Sequence, residues 1–83
     1  MEKEEFVKLY QEALRFQHAK LAQIVEKMTS HPRETKSQGR LRENMSIMKG
    51  INNTINELLR IEKMELNTVN PSQIDFVRNA ITN

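Results

Sequence analysis

The sequence predicts an all-α fold, in which a long antiparallel helical hairpin is followed by a short C-terminal helix and assembles into a helical bundle. Two long stretches carry apolar residues at alternating spacings of three and four, which places them along one side of a helix. A turn-like segment from Thr29 to Gly39 separates these stretches, and a third begins at Pro71. The chain of 83 residues supports one core, so we expect a single domain over 1–83.

The first helix is predicted over about residues 2–30. Three glutamates near its start favour the positive end of the helix dipole, and Pro32 ends it because proline disfavours helical geometry in the residue before it. Its apolar sector is wider than the seam of a two-stranded coiled coil, so this helix needs more than one neighbour. Gln17 interrupts the stripe, either at a half-covered position or as a residue that sets the register between chains.

The second helix is predicted over about residues 38–66, with Ser37 as its amino-terminal cap. Gly50 falls near its middle, where glycine costs about 0.8–1 kcal/mol relative to alanine, so either two backbones approach closely there or the helix bends. Asn52 and Asn56 share one side of this helix. They form either a solvated surface or a polar layer that hydrogen-bonds across a subunit interface or to a ligand.

The third helix is predicted over about residues 71–82, from the clearest local signal in the chain. Asn70 is a cap residue, Pro71 suits the first helical position, and Gln73 completes a capping box. A helix this short does not persist alone in water, so we expect it to dock on the hairpin or on a second subunit.

Composition argues for a cytoplasmic protein without a membrane segment, because the chain has no cysteine and no apolar run near the roughly 20 residues of a membrane span. His18 and His31 are the two histidines, and neither belongs to a metal-binding or catalytic pattern. We therefore expect no metal, no cofactor and no enzymatic activity.

A basic cluster lies in the connector between the two long helices. Residues 30–42 contain one carboxylate, Glu34, and the four cations of the cluster, which are Arg33, Lys36, Arg40 and Arg42. Arginine forks suit phosphate and carboxylate groups, and the amides at a helix start add to an anion site. The cluster is either a solvated loop or a site for a phosphate-bearing ligand such as a nucleic acid or nucleotide.

Excess apolar surface combined with a lack of catalytic groups favours a non-enzymatic, oligomeric binding protein. We expect a homo-oligomer, foremost a dimer, that acts as a regulatory or inhibitory adaptor for another protein, and the chain resembles small helical phage and plasmid proteins in size and composition. The alternative is sequestration of a phosphate-bearing ligand by the basic cluster. The predicted interface comprises Tyr10, Leu14, Gln17, Leu21, Ile24, Met48, Ile51, Asn52, Ile55 and Asn56.

Overall fold

The computed structural model describes residues 2–37 and 39–82, and these residues contain helices and no strand. The elements in chain order are α1 (Lys3–Ser30), α2 (Pro32–Thr35), α3 (Arg40–Glu62), a single 3₁₀ turn (Leu66–Thr68) and α4 (Pro71–Asn79). The all-α prediction is confirmed. The described chain is a rod of 48 × 18 × 17 Å.

Helices α1 and α3 form the long arms of an antiparallel hairpin. The phenol of Tyr10, near the start of α1, donates a hydrogen bond of 3.2 Å to the carboxylate of Glu62, at the end of α3. The connector lies at the other end of the hairpin, which we call the tip. It contains the one-turn helix α2, which starts at Pro32, and the Asn44 amide of α3 donates to the Thr35 carbonyl at 3.1 Å.

Helix α3 is shorter than predicted at both ends. Its cap position holds Gly39 at a φ of 94°, without a side-chain cap bond, so the prediction of Ser37 as the cap is wrong. The turn demands the left-handed backbone that glycine adopts most readily. The predicted first residue, Gln38, lies outside the described residues.

At its other end, α3 stops at Glu62 instead of continuing to Leu66. The Lys63 and Met64 amides bond to carbonyls three residues back, and Glu65 is extended. The following 3₁₀ turn places Leu66 against the core, so this leucine packs from a connector and does not prolong the helix.

Helix α4 begins as predicted, with the complete capping box between Asn70 and Gln73. It ends at Asn79, three residues before the predicted end, because the amides of Ile81 and Thr82 bond to carbonyls three residues back. The helix packs on α1 at the end of the hairpin opposite the tip, which we call the base.

The core lies at the base, where α1, α3 and α4 meet. Its buried members are Phe6, Tyr10, Ala13, Leu58, Ile61, Val69, Val77 and Ala80. Between the base and the connector only α1 and α3 pack together, and their residues Leu21, Ile24 and Met48 are half-buried. The hairpin is therefore well covered at its base and partly open along the rest of its length.

Gln17 joins α4 to the hairpin within one chain. The side chain is 2% exposed, and its Nε2 donates a hydrogen bond of 2.6 Å to the carbonyl oxygen of Ala80. A buried amide must be paired to be tolerated. In this structure the partner is the last turn of α4, so the polar break in the α1 stripe has an intramolecular explanation.

Gly50 has no close neighbour. A Cβ built on it would meet no described atom within 4 Å, so the backbone approach offered as one explanation of this glycine is not observed. We have no packing reason for a glycine at this exposed position.

Replacing Gly50 with alanine is expected to stabilise the protein by about 1 kcal/mol, because alanine has the higher helix propensity and the added methyl group enters open space. The same change at Gly39 is expected to destabilise it by about 1 kcal/mol, because alanine resists a positive φ. Urea unfolding of both variants measures the two effects. A change of the same sign in the free energy of unfolding of both variants would contradict these expectations.

Replacing Gln17 with methionine keeps the shape and removes the donor, which leaves the Ala80 carbonyl without this partner. We expect the free energy of unfolding to fall by about 1–3 kcal/mol and the α4 amides to exchange faster with deuterium. Gln23→Met is the matched control, because Gln23 is exposed on the same helix. A loss confined to the Gln17 variant supports the role given to this bond.

Candidate binding surface

The hairpin has two long sides, and α4 covers only one of them. Phe16 of α1 lines a depression with Ile81, just beyond α4, and Thr54 of α3 lines another with Phe76 and Ala80. Phe16 and Thr54 therefore mark the α4 side of the hairpin.

The opposite side is apolar and has no described helix over it. An α-helix turns roughly 100° per residue, so Val7, Leu14 and Val25 project about 160–180° away from Phe16. On α3, three residues project about 120–180° away from Thr54. We call this surface the bare face, and define it by Val7, Leu14, Val25, Met45, Met48 and Leu59.

Most of the large apolar side chains that stay exposed lie on the bare face. Among the described residues, Val7 is 40% exposed, Val25 49%, Met45 56% and Leu59 40%. The remaining large exposed residue is Ile47, at 44%, on the α4 side but near the tip. The exposed apolar residues are thus concentrated on one side of the rod, and on α3 the exposed Asn52 and Asn56 lie between Met45 and Leu59.

A depression of about 330 Å³ opens at the base end of the bare face. Its lining is mostly apolar, and Lys3, Gln11 and Glu62 add polar groups. The apolar and aromatic lining residues are Phe6, Val7, Tyr10, Leu14, Met64 and Leu66. Its volume is at the small end of the range for ligand sites, and is sufficient for one bulky side chain.

The Tyr10 phenol lies at the floor of this depression. Its pKa is raised from 10.0 to about 12, first by burial and then by the hydrogen bond to Glu62 and the charge of that carboxylate. Each cause favours the neutral phenol, since ionisation would place a second negative charge beside Glu62.

Three exposed cations of α3 and its C-terminal cap lie beside the bare face. Arg42, Lys49 and Lys63 are exposed and project within about 60° of Met45, at multiples of seven residues. None of the three makes an ion pair with another described residue. Arg60 projects in the same direction as Arg42 but is ion-paired with Glu57, while Glu43 and Arg40 project toward the α4 side. The outer edge of the bare face is therefore a basic row, which we define as Arg42, Lys49 and Lys63.

The structure divides the predicted interface residues into three groups. Tyr10, Gln17, Ile51 and Ile55 are buried within the chain. Leu14, Leu21, Ile24 and Met48 are half-buried, and Asn52 and Asn56 are exposed on the side of α3 away from α4.

The predicted interface does not include Val7, Val25, Met45 or Leu59. The signal that could have found them is the width of the apolar sector of each long helix, since these residues lie at its edge. Most residues at the centre of each apolar sector are buried or half-buried between α1 and α3. The edge of the sector opposite α4 therefore stays exposed.

The predicted anion-binding residues do not share one surface. Arg40 and Arg42 are separated by roughly 160° around α3, since two residues span about 200° of a helix. Arg40 donates to the Glu34 carbonyl at 3.5 Å and lines a depression with the carboxylates of Glu34 and Glu43. Arg33 lines a separate depression, again with Glu34, and Lys36 is exposed at the end of α2.

Comparisons with protein-family models, curated proteins and solved structures find no significant match to this chain. Within residues 2–37 and 39–82, no three His, Asp or Glu side chains are grouped as metal ligands. None of the described helices combines the length and apolar character needed to cross a bilayer.

The raised pKa of Tyr10 can be measured directly, because the chain has one tyrosine and no tryptophan. We expect the absorbance of tyrosinate at 295 nm to rise with a midpoint near pH 12 in the folded protein, and near pH 10 in urea. Because the folded pKa is the higher one, stability is retained below about pH 10 and falls as the pH rises toward 12.

Glu62→Gln separates the effect of the Glu62 charge on the pKa of Tyr10 from the effect of burial, since it removes the charge and leaves the burial. Its midpoint should lie between the native and unfolded values. A wild-type midpoint near 10 under conditions where the circular dichroism signal is native would contradict the buried, Glu62-bonded phenol.

Proposed function

We propose that this protein is a non-catalytic helical adaptor, regulatory or inhibitory in role, that binds another macromolecule through the bare face. The observation that carries the proposal is the concentration of exposed apolar side chains on the one side of the hairpin that α4 leaves open. Exposed apolar side chains grouped on one side, with polar residues such as Asn52 and Asn56 among them, are typical of an interaction site.

The docking of α4 supports the proposal from within the chain. This helix contributes Val77 to the core beside α1 and α3, and so completes a three-helix arrangement at the base. The bare face presents the second side of the same pair of helices. An amphipathic helix from a partner would pack there by the same ridges-into-grooves geometry.

Phosphate binding by the basic connector has weaker support. A phosphate site needs several donors that converge on one ligand. Arg40 and Arg42 point to opposite sides of α3, and Glu34 accompanies both Arg33 and Arg40. We therefore propose the bare face, and not the connector, as the functional surface. Self-association remains a prediction from the sequence.

A photo-crosslinking amino acid placed in the full chain tests the bare face in the cells that encode the protein. We expect benzoylphenylalanine at Val25 or Met45 to yield a crosslinked product, because both positions are exposed and apolar. Gln23 is the matched control, since it is exposed on α1 and projects roughly 160° away from Val25.

Products at Val25 and Met45 but not at Gln23 support the proposed surface. Crosslinking that is equal at all three positions, or absent at Val25 and Met45, would contradict it. The mass of each product identifies whether the partner is a second copy or a different molecule.

A further inference from the structure

We propose that the bare face binds an acidic amphipathic helix of another protein, whose carboxylates recur about every seven residues and pair with the basic row. This inference rests on the function proposed above and specifies the chemistry of the partner. The bare face supplies the apolar contact, and Arg42, Lys49 and Lys63 supply the electrostatic selection.

The position of the basic row identifies the sign and spacing of the partner's charges. The three cations are exposed beside the apolar surface at intervals of seven and fourteen residues. Residues seven apart return to nearly the same side of a helix, so a partner helix lying along the bare face meets all three cations on one flank. Carboxylates at the same spacing match this row, and lysines there would be repelled.

The edge of the bare face on α1 carries little charge. His18 and Ala22 are exposed there together with Gln11, and Glu4 in the first turn is the one carboxylate on that edge. Glu62 lies in the seam and accepts from Tyr10. Among the described residues around the bare face, the cations Lys3, Arg42, Lys49 and Lys63 therefore outnumber the carboxylates Glu4 and Glu62.

A second copy of the chain matches this surface poorly. In a face-to-face dimer the basic row would meet either the same row of its partner or the α1 edge with Gln11 and His18. Neither offers a series of carboxylates, and like charges in contact oppose association. A different protein with an acidic flank satisfies both the apolar surface and the row.

The depression at the base end of the bare face gives the partner helix an anchor point. It lies beside Val7 and Leu14, in line with the rest of the bare face, and holds about 330 Å³. Binding energy at helix-docking surfaces concentrates in a few large side chains that fill such pockets. The partner helix should therefore carry one bulky apolar residue near one end of its apolar stripe.

A displayed library of 21-residue amphipathic helices tests the inference with a defined probe. Each flanking position holds Glu, Gln or Lys, and the full-length protein is the bait. We expect selected helices to be enriched in Glu at seven-residue spacing on one flank. Against the double variant Lys49→Glu with Lys63→Glu, the enrichment should change to Lys, and affinity for the original helices should fall about tenfold.

Lys27→Glu is the control for charge alone, because Lys27 is exposed on the α4 side of α1. It should leave the selected helices bound, whereas Val25→Glu should abolish their binding and preserve the helical circular dichroism signal. Enrichment of Gln or Lys against the wild-type protein would overturn the inference, as would an unchanged selection against the double variant.

Two further measurements address other occupants of the bare face. A dimer in sedimentation equilibrium that Val25→Glu dissociates would assign the surface to a second copy. A different outcome is that the protein selects no helix from the library and cosediments with phosphatidylglycerol vesicles. If Val25→Glu abolishes that cosedimentation, the bare face is assigned to an anionic lipid surface. Either result overturns the acidic-helix inference. If the crosslinks at Val25 and Met45 are also absent, the vesicle result contradicts the proposed function as well. Crosslinks to a protein with a non-acidic helix would overturn this inference and leave the proposed function supported.

Discussion

The docking of α4 on one side of the hairpin is the constraint on which the rest of the structure depends. Buried contacts among Phe6, Leu58 and Val77 hold the helix at the base, and the Gln17–Ala80 hydrogen bond holds its last turn. A pair of helices has two open sides, and α4 is nine residues long. It therefore completes a core at the base and leaves the opposite side, from base to tip, without a described neighbour.

The helices could be predicted from the sequence because each rests on local chemistry. The apolar stripes locate α1 and α3, Pro32 ends α1, and the capping box starts α4. The ends of α3 are set by the tertiary structure instead. Leu66 continues the helical periodicity, but it packs against the core only because the chain turns before it. Tertiary packing therefore sets the end of α3, and local periodicity does not.

The candidate surface was only partly predictable, for a related reason. Periodicity shows how wide the apolar sector of a helix is, but not which part of it the chain itself covers. Gln17 illustrates the difficulty, since its carbonyl partner lies 63 residues away and a polar break in a stripe is equally consistent with an interface. Val25 and Met45 become candidates only when the position of α4 identifies the uncovered side.

The separation of charges on α3 connects the fold to the proposed partner. Stability of the hairpin does not require Glu43 and Glu57 on one side and Lys49 and Lys63 on the other, because exposed charges contribute little to folding. The side shared with α4 carries Arg40 beside Glu43, and the cations Lys49 and Lys63, which make no ion pair with another described residue, border exposed apolar residues. Electrostatic complementarity acts mainly on the choice of partner and the rate of encounter. A surface that is apolar along its centre and basic along one edge therefore favours an acidic amphipathic helix over an uncharged one with the same apolar stripe.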